Sequence, residues 1–266
     1  AYSSSGISGL GNESITITDT SIDASALNTL DDKTTVTINA AAVTTLSGSA
    51  SDLNTAYSSS GISGLGNEAL NLTDTALAAS VLNTLDRNTT GVANASTVTT
   101  LSGFAADLIT AYSSSGISGL GNEAILVDSG TSSVSLANNL SAATSGIVSA
   151  TLSDGDMATL ANLNESDNAY TITISDTSVD ASALNTLDSK TTVKINAAAV
   201  TTLSGSASDL NTAYSSSGIS GLGDESITIT DTSIDASALN TLDSNTAGII
   251  DASAITSLFG TISELN

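Results

Sequence analysis

The sequence predicts an α/β solenoid, in which stacked coils combine short parallel strands with short helices. The thirteen residues AYSSSGISGLGNE at 1–13 return unchanged at 56–68 and 111–123, and at 213–225 with Asp224 in place of asparagine. Apolar residues alternate with threonine in some segments and recur at every third position in others. Aromatic residues make up only 3% of the chain. A thin, repetitive aliphatic core fits these observations better than one large globular core.

The spacing of the copies predicts one continuous array. The copies begin at positions 1, 56, 111 and 213, so the first two steps are equal and the third is eight short of two such steps. We predict a single solenoid domain of about five units, 1–55, 56–110, 111–165, 166–212 and 213–266, of which the third carries the 8-residue deletion. Its departures from the pattern fall in 124–169, where we expect an irregular coil.

The two ends of the sequence resemble neighbouring parts of the interior. SELN at 263–266 corresponds to SDLN at 51–54, which stands just before the motif with which residue 1 begins. We therefore expect these residues to belong to a longer array, or separate chains to stack end to end. Any export signal is expected outside them.

Strands are predicted where apolar residues alternate with threonine. Ile15 and Ile17 follow this period of two, as do Val36 and Ile38. These strands would begin at Ile15 and at Val36, and the next equivalent strand would begin at Leu70. The step from Ile15 to Val36 gives a coil length in the low twenties. The longer coil from Val36 to Leu70 would carry ISGL as an additional strand or loop.

Short helices are predicted between these strands. Apolar residues stand at every third position from Ala24 to Leu30, behind Asp23, which is a good N-cap. The same spacing runs from 40 to 46 behind Asn39, and steps of three and four extend it through 50–57. An all-β parallel β-helix is the alternative, because coils rich in Thr, Ser, Val and Asn are typical of that fold too.

Composition excludes several classes of protein. The chain has 4 basic and 27 acidic residues, a net charge of −23, so we expect no nucleic-acid partner. It has no Cys and no His, which removes disulfides, thiolate metal sites and the commonest general base. Since no apolar run approaches the ~20 residues that span a bilayer, we expect no membrane insertion.

Three recurring stretches carry a family resemblance. DASALNTLD, NAAAVTTLSGSASDLNTAYSSSG and ISGLGNE resemble the tandem repeats of giant secreted or surface proteins of marine cyanobacteria and related bacteria, over essentially the whole chain. The resemblance implies an extracellular or cell-surface location. It also implies a structural role as a segment of a filament, surface layer or giant surface protein, with self-assembly end to end. It carries over no catalytic residue.

Recurrent aspartates are the candidate metal ligands. They end the first strand, precede the helix or follow it, and stacking of equivalent residues would form columns of carboxylates that calcium could bridge with 6–8 oxygen ligands. The candidate residues are Asp19, Asp23, Asp31, Asp74, Asp86, Asp176, Asp180, Asp188, Asp231, Asp235 and Asp243. The alternative function is therefore a calcium-dependent adhesin or a carbohydrate-binding surface protein. These residues also suit helix caps and turns, and neither an EF-hand loop nor the calcium-binding nonapeptide GGxGxDxUx is present.

An enzyme is not expected, because the carboxylates repeat evenly whereas a catalytic site is usually a single departure from a repeat. The departure at 124–169 contains the acidic residues Asp128, Asp154, Asp156, Glu165 and Asp167. Thr-x-Thr stretches such as 16–18 could bind ice, but their column is interrupted. The expected partners are other copies of the chain, with calcium or surface carbohydrate as alternatives, and calcium is the one candidate cofactor.

Overall fold

A computed structural model describes residues 1–128 and 130–266. The chain forms two compact units. The first comprises residues 1–128 together with Ala143–Gly146, and the second comprises Gly130–Ala142 and Ile147–Asn266.

Short strands and short helices alternate along the first unit. Its strands are β1 (Ile15–Thr16), β2 (Ser21–Asp23), β3 (Ile38–Asn39), β4 (Thr45–Gly48), β5 (Ile62–Ser63), β6 (Ala69–Leu72), β7 (Ala76–Ala78), β8 (Ala93–Asn94), β9 (Thr100–Gly103), β10 (Ile117–Ser118) and β11 (Ala124–Val127). Its helices are α1 (Ala24–Asp31), α2 (Ala50–Ser58), α3 (Ala79–Asn88) and α4 (Ala105–Ser113).

The second unit repeats this alternation. Its strands are β12 (Val148–Thr151), β13 (Ala169–Thr171), β14 (Ser178–Asp180), β15 (Ile195–Asn196), β16 (Thr202–Gly205), β17 (Ile219–Ser220), β18 (Ser226–Ile229), β19 (Ser233–Asp235), β20 (Ile250–Asp251) and β21 (Ser257–Phe259). Its helices are α5 (Val134–Ala143), whose last residue belongs to the first unit, α6 (Met157–Leu160), α7 (Ala181–Asp188), α8 (Ala207–Ser215), α9 (Ala236–Asn245) and α10 (Ile262–Leu265).

Strands pair in parallel within each unit, as a solenoid requires. In the first unit β1, β3 and β5 form one sheet, and β2, β4, β6, β8 and β10 follow one another in a second. In the second unit β14, β16, β18 and β20 form a sheet, and β19 pairs with β21. Stacked parallel strands alternating with short helices confirm the predicted α/β solenoid fold within each unit.

The contacts between neighbouring coils give the coil length. Asn28 Nδ2 donates to the carbonyl of Asp52 across one coil of 24 residues. Asn71 and Asn94, which are partners in β6 and β8, define a coil of 23 residues. The strand start predicted at Ile15 is confirmed, but the next strand begins at Ile38 and not at Val36, and Ile38 is the partner of Ile15. The predicted long coil is divided, because ISGL supplies a strand of its own, β5.

The sequence repeat does not match a whole number of coils. The strand partner of Leu46 in the next coil is Leu70, and that of Leu70 is Ala93. The residue equivalent to Leu46 in the next sequence repeat is Leu101, which lies beyond both. Residues at equivalent repeat positions therefore do not stack on one another. Instead, five different segments of the repeat occupy successive places in the sheet from β2 to β10.

Helix α1 follows its predicted N-cap, but the helix predicted over 40–46 is absent. Thr45–Gly48 is strand β4, and helix α2 begins only after Ser49, whose side chain accepts a hydrogen bond from the backbone N–H of Asp52. The apolar residues at 40, 43 and 46 are all buried. Their spacing of three residues therefore arises from side chains that point inward along a turn and a strand, and not from a helix.

The 8-residue deletion is distributed over two coils of the second unit. The N–H of Val134 donates to Asp154 across 20 residues, and the N–H of Val148 donates to Asn168 across the same separation. Each of these coils is thus four residues shorter than the coil from Asn28 to Asp52. The irregularity that the sequence predicts for 124–169 is thus the shortening of these two coils.

Candidate functional site

The repeated motif AYSSSGISGLGNE makes the same polar contact in all four copies. Its tyrosine hydroxyl donates a hydrogen bond to the carboxylate of the glutamate eleven residues later. The distances from Oη to Oε2 are 2.8 Å for Tyr2 and Glu13, 2.8 Å for Tyr57 and Glu68, 2.6 Å for Tyr112 and Glu123, and 2.8 Å for Tyr214 and Glu225. We call each such pair a Tyr–Glu node.

A glycine backbone supplies the second donor of each node. In the node of Glu68, the N–H of Gly66 donates to Oε2 at 2.8 Å and to Oε1 at 3.1 Å. Gly66 has a φ of +135°, which side-chain-bearing residues rarely adopt. The backbone carbonyl of Glu68 is also held, since Thr89 Oγ1 donates to it at 2.7 Å.

Three of the four node glutamates are fully buried. Glu68, Glu123 and Glu225 are 0% exposed, whereas Glu13 remains partly exposed. Burial of a carboxylate is costly unless hydrogen bonds replace its water, and the tyrosine and glycine donors do so.

The protonation of the node suits a structural contact. Burial, followed by the hydrogen bond to Glu68, raises the pKa of the Tyr57 hydroxyl. The same causes raise the pKa of Tyr112 and of Tyr214, so each hydroxyl stays protonated and donates. At the first node, the Gly11 N–H and then the Tyr2 hydroxyl lower the pKa of Glu13. In the three buried nodes, the donors to the glutamate oxygens come from the same motif, as expected of a structural contact.

The tyrosine and the glutamate of the node were not among the residues predicted to be functional. Neither residue type stands out in the composition, and the residues between them do not form a single helix or strand that would bring them together. The available signal was their invariant spacing in every copy of the motif.

Aspartates that precede helices are N-caps, as one interpretation of the sequence predicted. Asp23 Oδ1 accepts hydrogen bonds from Ser25 N at 2.9 Å and from Ser25 Oγ at 2.5 Å. Asp180 and Asp235 make the corresponding contacts with the serines that stand two positions later. The serine hydroxyl is the largest cause that lowers the pKa of all three carboxyl groups.

Aspartates at the end of the first strand cap a helix in the preceding coil. Asp74 Oδ2 accepts from the N–H of Ala50, the first residue of α2, at 2.7 Å. Asp231 holds the first residue of α8 at 2.6 Å, and Asp176 holds that of α6 at 2.7 Å. First-turn N–H groups have no partner inside their own helix, so these carboxylates join one coil to the next. Asp19, the fourth member of this set, is exposed.

The aspartates predicted to follow the helix lie in its last turn instead, and three of them bind the SSSG stretch of the next coil. Ser59 Oγ donates to Asp31 Oδ2 at 2.5 Å. Asp86 and Asp188 accept from equivalent serines at 2.8 and 2.6 Å. A Cβ atom on Gly61 would clash with Asp31 Oδ1, which explains the glycine that ends SSSG. Asp243, the last of this set, is exposed.

Equivalent aspartates do not form the predicted columns. Strand register places Ser47 beside Asp23, and Ser204 beside Asp180, because equivalent residues do not lie a whole number of coils apart. Across residues 1–128 and 130–266, no group of three or more acidic residues is arranged to hold a metal ion. The column geometry was wrong, and calcium binding at individual aspartates stays a prediction.

The irregular segment places two of its acidic residues at helix starts. In the second unit, Asp154 Oδ2 accepts from the N–H of Val134, the first residue of α5, at 2.7 Å. Asp156 caps α6 through the N–H of Thr159 at 2.9 Å. Glu165 and Asp167 are exposed, and Asp128 directly follows β11 in the first unit.

A groove runs between α2 and α3 in the first unit. Its volume is 810 Å³, and Leu77 and Val81 form part of its apolar wall. Its polar residues already have partners: Asp74 bonds Ala50, and Asn88 Nδ2 lies 3.4 Å from Asn54 Oδ1. The groove therefore does not present a convergent set of unsatisfied polar groups to a ligand.

Comparison with known proteins finds no matching family, no matching characterised protein and no matching solved structure. Among the residues that the structure describes, no helix is long and apolar enough to cross a membrane.

Proposed function

We propose that the chain is a structural extracellular repeat protein, a segment of a filament, a surface layer or a giant cell-surface protein, that assembles end to end with further copies of itself. The observation that most supports this proposal is that the recurrent polar residues form hydrogen bonds between coils. They bind neighbouring coils: Asp74 caps a helix 24 residues earlier, Asp31 accepts from a serine 28 residues later, and Asn28 Nδ2 donates to the Asp52 carbonyl at 2.9 Å.

A solenoid of this kind becomes longer with every coil that stacks on it. Each added coil buries its Leu, Ile and Ala side chains on the previous one, and parallel strands leave hydrogen-bonding groups available at the last coil. The resemblance to giant surface proteins supports the extracellular location. The net charge of −23 favours solubility of the stack.

Negative-stain electron microscopy of the purified chain tests this proposal. We expect threads of uniform width whose length increases with protein concentration. Separate short particles at every concentration would contradict end-to-end assembly and favour the adhesin or carbohydrate-binding alternative.

A further inference from the structure

A second groove lies between α5 and α6 of the second unit, inside the irregular segment. Its volume is 420 Å³, which falls in the range of about 300–1,000 Å³ that is usual for small-molecule sites. Val134 is its apolar wall residue, and no charged side chain lines it among the residues that the structure describes. Amide and hydroxyl side chains form the rest of the wall, namely Ser135, Asn138, Asn139, Thr159, Asn162 and Asn164.

The shortness of α6 shapes this groove. In the regular coil, Asn28 Nδ2 donates to the carbonyl of Asp52, which lies inside α2. In the irregular coil, Asn138 Nδ2 donates at 2.8 Å to the carbonyl of Asn162, which lies beyond the end of the four-residue helix α6. The N–H of Asn164 is therefore outside a helix, and it donates to Asn138 Oδ1 at 3.1 Å. A turn thus faces α5 where regular coils have a helix.

Polar side chains on α5 are free, whereas their equivalents in a regular helix are bonded. In α1, Thr29 Oγ1 donates to the carbonyl of Ser25 at 2.8 Å, and Ser25 Oγ donates to Asp23 Oδ1 at 2.5 Å. Ser25 and Thr29 are the second and sixth residues of α1, and Ser135 and Asn139 hold the same places in α5. Within 1–128 and 130–266, neither Ser135 nor Asn139 makes a side-chain hydrogen bond, and both are exposed.

Asn164 lies on the opposite wall of the groove. Its backbone is fixed on both sides, since its N–H bonds Asn138 and its carbonyl accepts from Lys190 Nζ at 3.0 Å. Its exposed side-chain amide makes no hydrogen bond to any residue that the structure describes. The groove between α2 and α3 differs, because its Asp74 and Asn88 already have partners. Free polar groups therefore converge on the groove between α5 and α6 from both of its walls.

We propose that this groove binds one or two neutral sugar units of a glycan. An asparagine amide carries a donor and an acceptor side by side, so it can bond two neighbouring hydroxyls of a sugar ring, and a serine hydroxyl adds a further donor and acceptor. Charged ligands fit less well, because the described wall offers no cation to an anion and no carboxylate to a cation. The net charge of −23 also repels anions. This inference goes beyond the proposed function and does not rest on end-to-end assembly.

A nuclear magnetic resonance titration of the isotope-labelled chain tests the site. The probes are glucose, galactose, mannose and N-acetylglucosamine, with the disaccharides maltose, cellobiose and lactose. We expect at least one of them to shift the backbone amide signals of Ser135, Asn139 and Asn164 saturably. Glycerol, which has hydroxyls but no ring, should give no saturable shift. Glucuronate, which adds a carboxylate to the ring of glucose, should give none either.

Three variants locate the binding. Asn139→Thr gives α5 the residue that regular helices carry at this place, so it keeps the fold and removes the free amide. We expect it to weaken sugar binding about tenfold or more. Asn164→Ala removes the second amide, keeps both backbone hydrogen bonds and should weaken binding similarly. Asn88→Thr makes the first substitution in the groove between α2 and α3 and should leave binding unchanged.

Absence of a saturable shift with every sugar would overturn this inference. Shifts that persist unchanged in both Asn139→Thr and Asn164→Ala would overturn it too, as would binding that Asn88→Thr abolishes. None of these results alters what microscopy shows of threads, so failure of the sugar site and failure of end-to-end assembly are told apart.

Discussion

Glu68 shows why the thirteen-residue motif varies so little. Its carboxylate is buried and depends on a hydroxyl from Tyr57 in α2 and on an N–H from Gly66, whose positive φ favours glycine. Loss of one member leaves the others buried with fewer hydrogen bonds, so the three are constrained together. The node also joins the end of α2 to the start of β6 across the ISGL segment, which contains β5.

Replacement of Tyr57 by phenylalanine tests the node at residue scale. Tyr57→Phe keeps the ring but removes the hydroxyl that bonds Glu68, so a buried carboxylate loses a donor. We expect a loss of about 1–3 kcal/mol in the free energy of unfolding, measured by urea denaturation with circular dichroism.

Tyr2→Phe is the matched control for this change. It removes the same 2.8 Å hydrogen bond, but from Glu13, which water can reach. We expect a clearly smaller loss of stability. Equal losses in the two variants would show that burial of the glutamate does not decide the strength of the node.

At the scale of elements, the sequence predicted the kind of coil better than its length. Alternation in ESITIT and the Asp23 cap correctly indicated a strand and a helix in each coil. Strands β1, β3 and β5 have only two residues each, so alternation in the sequence does not fix where they begin and end. Their bounds follow from pairing with strands one coil away, and no local pattern reports that pairing.

The helix caps are the elements whose stability depends on pH. The Ser182 hydroxyl is the largest cause that lowers the pKa of Asp180, the N-cap of α7. A carboxyl whose pKa is lower in the folded than in the unfolded chain stabilises the fold above the unfolded value of about 3.9. That contribution is lost as the pH falls through the folded pKa.

Asp180→Ala should therefore destabilise the protein by about 1 kcal/mol at pH 7, and the difference from the unmodified chain should shrink below about pH 4. Thermal unfolding followed across this pH range gives the measurement. Asp180→Asn is the control, since asparagine caps a helix without a charge and should show a smaller loss at pH 7. A difference that persists unchanged into acid would contradict the cap as its source.

The candidate site was predictable only where its contacts are local. Asp23, Asp180 and Asp235 bond groups two or three positions away, and the sequence indicated them as caps. The contact from Asp74 to Ala50 spans 24 residues, so it requires the coil length to be known. The same reason explains the predicted aspartate columns, which assumed that equivalent residues stack.

At the scale of the whole molecule, charge sets the response to ions. A chain with a net charge of −23 is stabilised by any cation that screens its carboxylates, and divalent ions screen more strongly than monovalent ones. Such screening does not depend on the identity of the ion, whereas a coordination site does. Calcium and magnesium therefore distinguish general screening from specific binding.

We expect calcium to raise the unfolding temperature no more than magnesium does at equal concentration. The reason is that no group of three acidic residues within 1–128 and 130–266 is arranged around a metal ion, and most candidate aspartates already accept hydrogen bonds. Calorimetry across a titration of each ion provides the comparison. Asp19→Asn and Asp243→Asn, at exposed candidate positions, should leave both responses nearly unchanged. A saturable increase with calcium alone, reduced by either substitution, would instead support the calcium-dependent adhesin.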